Sequence, residues 1–152
     1  MSARFVNHFH TCLFAVVVGT LLVSCATPPA AQRTTTPTMR ITAPVDGSKV
    51  KGPKITFEVA VDGYTLTTAN QVAKEGEGHL HFFIDVPASS VPVGQGIPLD
   101  QPKAYVHAGK EPFTSRALEL APGKHTITVV MANSVHQVVA QPQPVSVTVE
   151  VE

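Results

Sequence analysis

Residues 145–151 read VSVTVEV, and apolar and polar residues alternate along the whole segment. Side chains of a β-strand point alternately to the two faces of a sheet, so this pattern predicts a strand with one buried and one exposed face. Residues 55–61, ITFEVAV, alternate in the same way. Residues 79–86, HLHFFIDV, form the most apolar run of the domain, and we expect this run to be a central strand.

Shorter strand patterns flank these segments, and turns that contain Gly or Pro separate them. The predicted additional strands are 40–43, 113–120 and 125–132. Six or seven short strands without a credible helix predict an all-β fold. The expected architecture over residues 39–152 is an immunoglobulin-like antiparallel β-sandwich of about seven strands.

The composition fits one globular domain and excludes several classes of partner. Of the 152 residues, 43% are hydrophobic and 14% charged, which supplies enough apolar material for one core. Lys and Arg total 11, as do Asp and Glu, so the chain lacks the basic excess of a nucleic-acid-binding protein. We therefore expect no nucleic-acid partner.

The N-terminal segment predicts export and a lipid anchor. Residues 13–23, LFAVVVGTLLV, are too short to cross a bilayer, which needs about 20 apolar residues, but they suit the apolar region of a signal peptide. Residues 22–25, LVSC, resemble the bacterial lipobox, in which the Cys thiol receives diacylglycerol. The prediction is a signal peptide over 1–24, lipidation of Cys25, and a membrane-anchored lipoprotein of the bacterial cell envelope that faces the periplasm or the exterior.

A tether is predicted between the anchor and the domain. Residues 26–38 read ATPPAAQRTTTPT, with one charge and no apolar period, and together with Cys25 they form the predicted flexible segment 25–38. Two longer connections, 65–78 and 87–102, interrupt the strand pattern within the domain, and loops of this length often carry function.

Five histidines follow residue 38, and two of them form the sharpest local signal. His79 and His81 are two residues apart on a predicted strand, so their imidazoles project from the same face. In a sandwich of this type, strands 79–86 and 125–132 are antiparallel neighbours, which brings the start of the first near Met131 and the loop that holds His136. The predicted metal ligands are His79, His81 and His136, with Met131 and His107 as further candidates.

The fifth histidine, His125, is expected to be structural. It lies at the other end of its strand, about 20 Å from His79 at about 3.3 Å per residue, which one ion cannot bridge. It also follows a Pro-Gly corner, where sandwiches of this type often place a side chain that bonds to the backbone.

Two metals remain open at this point. Three imidazoles with a thioether suit copper, whereas imidazoles with Asp85 or Glu77 suit zinc better. A blue-copper site is excluded from the predicted mature domain, because Cys12 and Cys25 are the only cysteines and neither would supply a thiolate there.

The sequence offers little support for catalysis. The serines lie in no Gly-x-Ser-x-Gly frame, and no Gly-rich phosphate loop is present. The prediction is that the protein is not an enzyme. Asp85, at the end of a predicted strand, is expected to bond a loop rather than to act as a catalytic acid.

Several blocks of the domain resemble an uncharacterised bacterial family of secreted proteins that is catalogued as a domain of unknown function. The family pattern at the first block is Gly-His-His-His-Leu-Leu-Ile-Asp, so Leu80 is a departure, and the family's usual Gly-Asp before the last histidine is replaced by residues 132–135, ANSV. The resemblance implies a fold but no activity. The blocks that carry it are 78–85 (GHLHFFID), 97–98 (IP), 107–110 (HAGK), 120–126 (LAPGKHT), His136 and 144–146 (PVS).

The sequence therefore supports two functional hypotheses. The first is a non-catalytic, membrane-anchored domain that binds copper or zinc through its histidines. The alternative is an interaction module without metal, which docks another envelope protein or a polymer through a sheet edge or through the loop 87–102.

Overall fold

The computed structural model describes residues 36–70 and 72–152. The predicted signal peptide, Cys25 and all but the last three residues of the predicted tether lie outside this range. No helix in the described range is long and apolar enough to span a membrane. That range contains nine strands: β1 (Thr38–Ala43), β2 (Ser48–Val50), β3 (Lys54–Asp62), β4 (Thr65–Leu66), β5 (Glu77–Ile84), β6 (Tyr105–Ala108), β7 (Ser115–Glu119), β8 (Gly123–Asn133) and β9 (Val145–Val151).

The strands form two sheets of unequal size. The smaller sheet is antiparallel and has the order β1-β3-β7. The larger sheet has the order β2-β9-β8-β5, and both β4 and β6 pair with the remaining side of β5. The long central pairs β5–β8 and β8–β9 are antiparallel, whereas the short strands β2 and β4 pair in parallel with β9 and β5.

The two sheets pack face to face around one apolar core. Phe57 and Leu118 of the smaller sheet join Phe82, Val129 and Val149 of the larger sheet in this core, and all five are almost completely buried. Alternation along each strand places these residues on the inner faces and their polar neighbours outside. The predicted immunoglobulin-like β-sandwich is confirmed, with nine strands in place of about seven.

The larger sheet also has a buried outer face, which is the face turned away from the smaller sheet. Phe83, Val130 and Ala132 lie on this face and pack with Val91 and Ile97 from the connection between β5 and β6. The buried run Gly78–Phe83 shows that β5 is covered on both sides. The long connection predicted over 87–102 therefore forms part of the cover of the outer face.

Candidate metal-binding site

His79 and His81 lie on the outer face of β5, and both are completely buried. Their side chains share this face because they are two residues apart on the strand. The two Nε2 atoms are 3.1 Å apart. The predicted side-by-side arrangement of the two imidazoles is confirmed.

His107 joins them from the neighbouring strand. Strand β6 pairs with β5 in the register that sets His107 directly opposite His81. The two rings stack with centroids 4.9 Å apart and an interplanar angle of 21°, and the centroids of His107 and His79 are 4.6 Å apart. The sequence placed His107 in no element, because β6 has only four residues and no clear alternation.

His136 reaches the same point from the turn after β8. Its backbone has a φ of 65°, a conformation that few residues other than Gly adopt. Its N–H donates to the carbonyl of Asn133, and its carbonyl accepts from the N–H of Ile97. The side-chain oxygen of Asn133 accepts hydrogen bonds from the N–H groups of Val135 and Gln137, which stabilises the turn. The ring of His136 lies 4.8 Å from the rings of His79 and His107.

The four histidines form one group, which we call the histidine cluster (His79, His81, His107, His136). One ring nitrogen from each lies within 4.8 Å of those of the others. Two nitrogens bound to one zinc ion at about 2.0–2.1 Å are about 3.3 Å apart in tetrahedral geometry. The Nε2 pair of His79 and His81 already has this spacing. The widest pair would close by about 1.5 Å around an ion bound by all four, so the cluster could hold a metal ion after a movement of the rings.

Burial keeps the cluster uncharged. It lowers the pKa of His79 to about 3 and that of His81 to about 2, because a charged ring loses its hydration there. Burial also lowers the pKa of His107 and of His136. Neutral imidazoles carry the free lone pair that a metal requires.

Several ring nitrogens of the cluster have no partner within the described part of the protein. Nδ1 of His79, Nδ1 of His81 and Nε2 of His107 are buried without a hydrogen bond. Buried polar atoms are nearly always hydrogen-bonded, and leaving one unpaired costs about 1–3 kcal/mol. Because the Nε2 atoms of His79 and His81 are the pair with metal-like spacing, their unpaired Nδ1 atoms are a cost of burying the rings rather than vacant ligand positions.

Met131 does not belong to the histidine cluster. It pairs with Leu80 across β5 and β8, and both side chains lie in the core between the sheets. His79 and His81 instead share the outer face with Val130 and Ala132. The inclusion of Met131 is therefore corrected, because alternation along β8 turns its thioether to the opposite face.

The two acidic candidates also lie outside the cluster, since no carboxylate within the described residues joins the four rings. The carboxylate of Glu77 is 3.7 Å from the ammonium group of Lys74. Asp85, after β5, accepts a hydrogen bond from the N–H of Thr126 at 2.8 Å and contacts Nδ1 of His125 at 2.7 Å. Asp85 therefore bonds strand β8, whereas the sequence predicted a bond to a loop.

His125 has the structural position that the sequence indicated. Its Nδ1 contacts Asp85, and its Nε2 lies 2.9 Å from the carbonyl oxygen of Ala121 at the preceding corner. The hydrogen bond to Asp85 is the main cause that raises the pKa of His125. Both ring nitrogens face acceptors, which favours the protonated ring.

Comparison with known proteins places the chain in a family and adds no activity. Residues 56–152 match the domain of unknown function DUF4399. The chain belongs to this family. The match begins within β3, so β1 and β2 precede it. It confirms the resemblance to a domain of unknown function, whereas the specific sequence pattern described above stays a prediction.

Two solved structures are similar to the chain at low sequence identity. An engineered protein has 13% identity and a TM-score of 0.45, with 78% of this chain and 21% of that chain covered. The fibronectin(III)-like modules of CbhA from Clostridium thermocellum have 15% identity and a TM-score of 0.46, with 77% and 47% covered. The chain thus spans about a fifth and about half of these two chains. Comparison with curated proteins gives no match.

Proposed function

We propose that this DUF4399 domain binds a divalent transition-metal ion through His79, His81, His107 and His136. The observation that carries the proposal is the convergence of four neutral ring nitrogens within 4.8 Å in a largely buried site. Five histidines follow residue 38, and four of them come from three separate parts of the fold to this one point.

Copper in its divalent state is the preferred ion in this proposal, and zinc is the second. Imidazole suits both metals, and nitrogen ligands bind Cu²⁺ more tightly than the other divalent ions of the first transition row. The corrected ligand set contains no thioether and no carboxylate, so it resembles neither of the mixed sets considered from the sequence. Four imidazoles favour Cu²⁺ over Cu⁺, which prefers sulfur ligands.

Calorimetric titration with Cu²⁺ and Zn²⁺ tests the proposal. The full chain, with Cys12→Ser and Cys25→Ser to remove thiols, is expected to bind one Cu²⁺ with a micromolar or lower Kd. Nitrogen hyperfine structure in the electron paramagnetic resonance spectrum identifies imidazole ligands. His79→Ala with His81→Ala should abolish both signals, whereas the matched control His125→Gln should keep them. The absence of micromolar binding to the parent chain would refute the metal site.

The surrounding protein is proposed to be a non-catalytic envelope lipoprotein. This part of the proposal is supported by the apolar segment 13–23 and the LVSC sequence that ends at Cys25. Acyl chains on Cys25 would hold the domain at a membrane, each buried CH₂ contributing about 0.8 kcal/mol. Labelling with a palmitate analogue in a bacterial host tests the anchor: Cys25→Ser should remove the label and leave the precursor unprocessed, whereas Cys12→Ser should do neither.

An interaction module without metal is the second candidate. It is supported by Val93 and Leu99 in the connection between β5 and β6, which are 61% and 50% exposed. These side chains offer apolar contacts to an envelope protein or a polymer. Substitution of both by Ser should abolish co-purification of a partner from envelope extracts without changing Cu²⁺ affinity. If the partner also binds the double Ser variant, this surface is not the interaction site.

A further inference from the structure

A groove of about 780 Å³ lies beside the histidine cluster. His107 belongs both to the cluster and to the wall of this groove. Lys110 and Arg116 also line the groove, and no acidic residue does. His107 is therefore the ring of the cluster that borders the groove, on a wall that also carries two cationic side chains.

The two cations are free of ion pairs within the described residues. The pairs found there involve Lys49, Lys74 and His125, but neither Lys110 nor Arg116. Arg116 is near enough for its charge to contribute to the lowered pKa of His107, after burial and His136. The positive charge on this wall is thus available to a ligand from solvent.

A metal ion in the cluster would carry uncompensated charge. Four neutral imidazoles leave the full double charge on a divalent ion, and no carboxylate or thiolate in the described range joins the cluster. A buried charge is costly unless an opposite charge pairs with it. Arg116 and Lys110 add further positive charge nearby. An anion in the groove would relieve both sources of repulsion.

We infer that the groove takes a small oxyanion, a carboxylate or a phosphate, which binds to the histidine-held metal and contacts Arg116 and Lys110. The guanidinium group of Arg116 suits either oxyanion, because its planar fork matches two oxygens of the ligand. This inference rests on the proposed metal site and specifies what completes it. The metal would thus be held jointly by the protein and by an exchangeable anion.

Spectroscopic titration of the copper-loaded full chain, with both cysteines replaced by Ser, tests the inference. In a non-coordinating buffer, acetate or inorganic phosphate is expected to shift the visible and electron paramagnetic resonance spectra in a saturable way. Arg116→Gln should weaken anion binding about tenfold, as expected for loss of a charged hydrogen bond. Lys110→Gln should weaken it less, because Lys acts as a single point charge.

Two matched controls and the separate anions make the outcomes distinct. Arg40→Gln on β1 and Lys124→Gln on β8 remove the same charges away from the groove and should leave anion affinity unchanged. A shift with acetate alone assigns a carboxylate, and a shift with phosphate alone assigns a phosphate.

Copper binding without any anion-dependent shift, or with a shift unaffected by Arg116→Gln, would overturn this inference and leave the metal site intact. Removal of copper by the anions would overturn it as well. A parent chain that fails to bind copper at all would overturn both proposals.

Discussion

His81 on β5 and His107 on β6 face each other as direct cross-strand partners, and their rings stack 4.9 Å apart. The two histidines occupy positions that apolar side chains would occupy in a purely structural sheet. Their pairing also connects a completely buried ring, His81, to a ring that lines the open groove, His107. A ligand that enters the groove therefore meets the histidine cluster first at His107.

The decrease in Cu²⁺ affinity on removal of one histidine should be larger the more deeply that histidine is buried. Loss of a group that only hydrogen-bonds to a metal ligand usually costs about 10–100-fold in metal affinity, so loss of the ligand itself in His81→Ala should reduce Cu²⁺ affinity by about a hundredfold or more. His136→Ala should cost less than His81→Ala, because the ring of His136 is only partly buried. Competition titrations with a chelator of known affinity measure both changes. Equal affinity of His81→Ala and the parent chain would exclude His81 as a ligand.

Replacing both buried histidines of β5 by apolar residues should stabilise the metal-free protein. The Nδ1 atoms of His79 and His81 are buried and unpaired and their Nε2 atoms contact each other, so His79→Leu with His81→Leu removes two desolvated polar atoms without leaving half of a hydrogen bond behind, and should raise the free energy of unfolding by about 1–2 kcal/mol. Copper should then no longer stabilise the variant. Urea denaturation with and without Cu²⁺ measures both effects. Strong destabilisation of the double Leu variant would show that the two rings are required for folding itself.

The stability of the metal-free protein should fall in mild acid. His79 and His81 have pKa values of about 3 and 2 in the folded chain and 6.5 in the ordinary state. Below pH 6.5 the unfolded chain therefore binds protons on these two rings, whereas the folded chain does not. The free energy of unfolding is thus highest above pH 6.5 and declines from there towards pH 3. Each ring contributes a slope of at most about 1.4 kcal/mol per pH unit.

Denaturation midpoints at several pH values in the presence of a chelator measure this decline. The double variant His79→Leu with His81→Leu should show a clearly flatter profile between pH 6 and 4. An unchanged slope in that variant would assign the acid sensitivity to other groups.

The contact between Asp85 and His125 should have the opposite pH dependence. The contact raises the pKa of His125 in the folded protein. Its contribution to stability is therefore complete below the unfolded pKa of 6.5 and is lost as the pH rises through the raised pKa of His125. Asp85 has a φ of 57°, which Asn also tolerates, so Asp85→Asn removes the charge with little backbone cost.

Asp85→Asn should destabilise the protein by about 0.5–1 kcal/mol at pH 6, since the carboxylate is half exposed, and by less at pH 9. Thermal denaturation at the two pH values measures the difference, and Cu²⁺ affinity should not change. A larger loss at pH 9 than at pH 6 would contradict the assignment of the charge.

The absence of a side chain at Gly109 leaves room for the ring of His107 in the histidine cluster. A Cβ atom at this position would overlap Nε2 of His107. Gly109→Ala should therefore displace the ring of His107 and lower Cu²⁺ affinity about tenfold or more. Gly96→Ala is a suitable control for the same chemical change, because nothing lies within 4 Å of its Cβ position and its φ is not positive. Parent-like copper affinity in Gly109→Ala would place His107 outside the ligand set.

The sequence predicted the long strands because their alternation is local information. The pattern of 145–151 matches β9 residue for residue, and the neighbouring positions of β5 and β8 followed from the sandwich topology. Strands β2, β4 and β6 have two to four residues and depend on pairing with a longer strand, so no period could reveal them.

The cluster could be predicted in part for the same reason. The pair His79 and His81 needs only the period of a strand, and His136 needs only the neighbouring loop. The participation of His107 depends on the register of β6 against β5, which is a long-range property. Met131 was misplaced although its local period, opposite to that of Val130 and Ala132, carried the signal.

The burial of β5 on both faces has a consequence for folding fidelity. A shift of β5 by one residue in its pairing register would turn His79 and His81 into the apolar core between the sheets. It would also turn Leu80 and Phe82 to the outer face, beside the polar rings of the remaining histidines. Misaligned pairings of this strand are thereby strongly penalised. His79 and His81 thus help to fix the register of β5 when the sheet assembles.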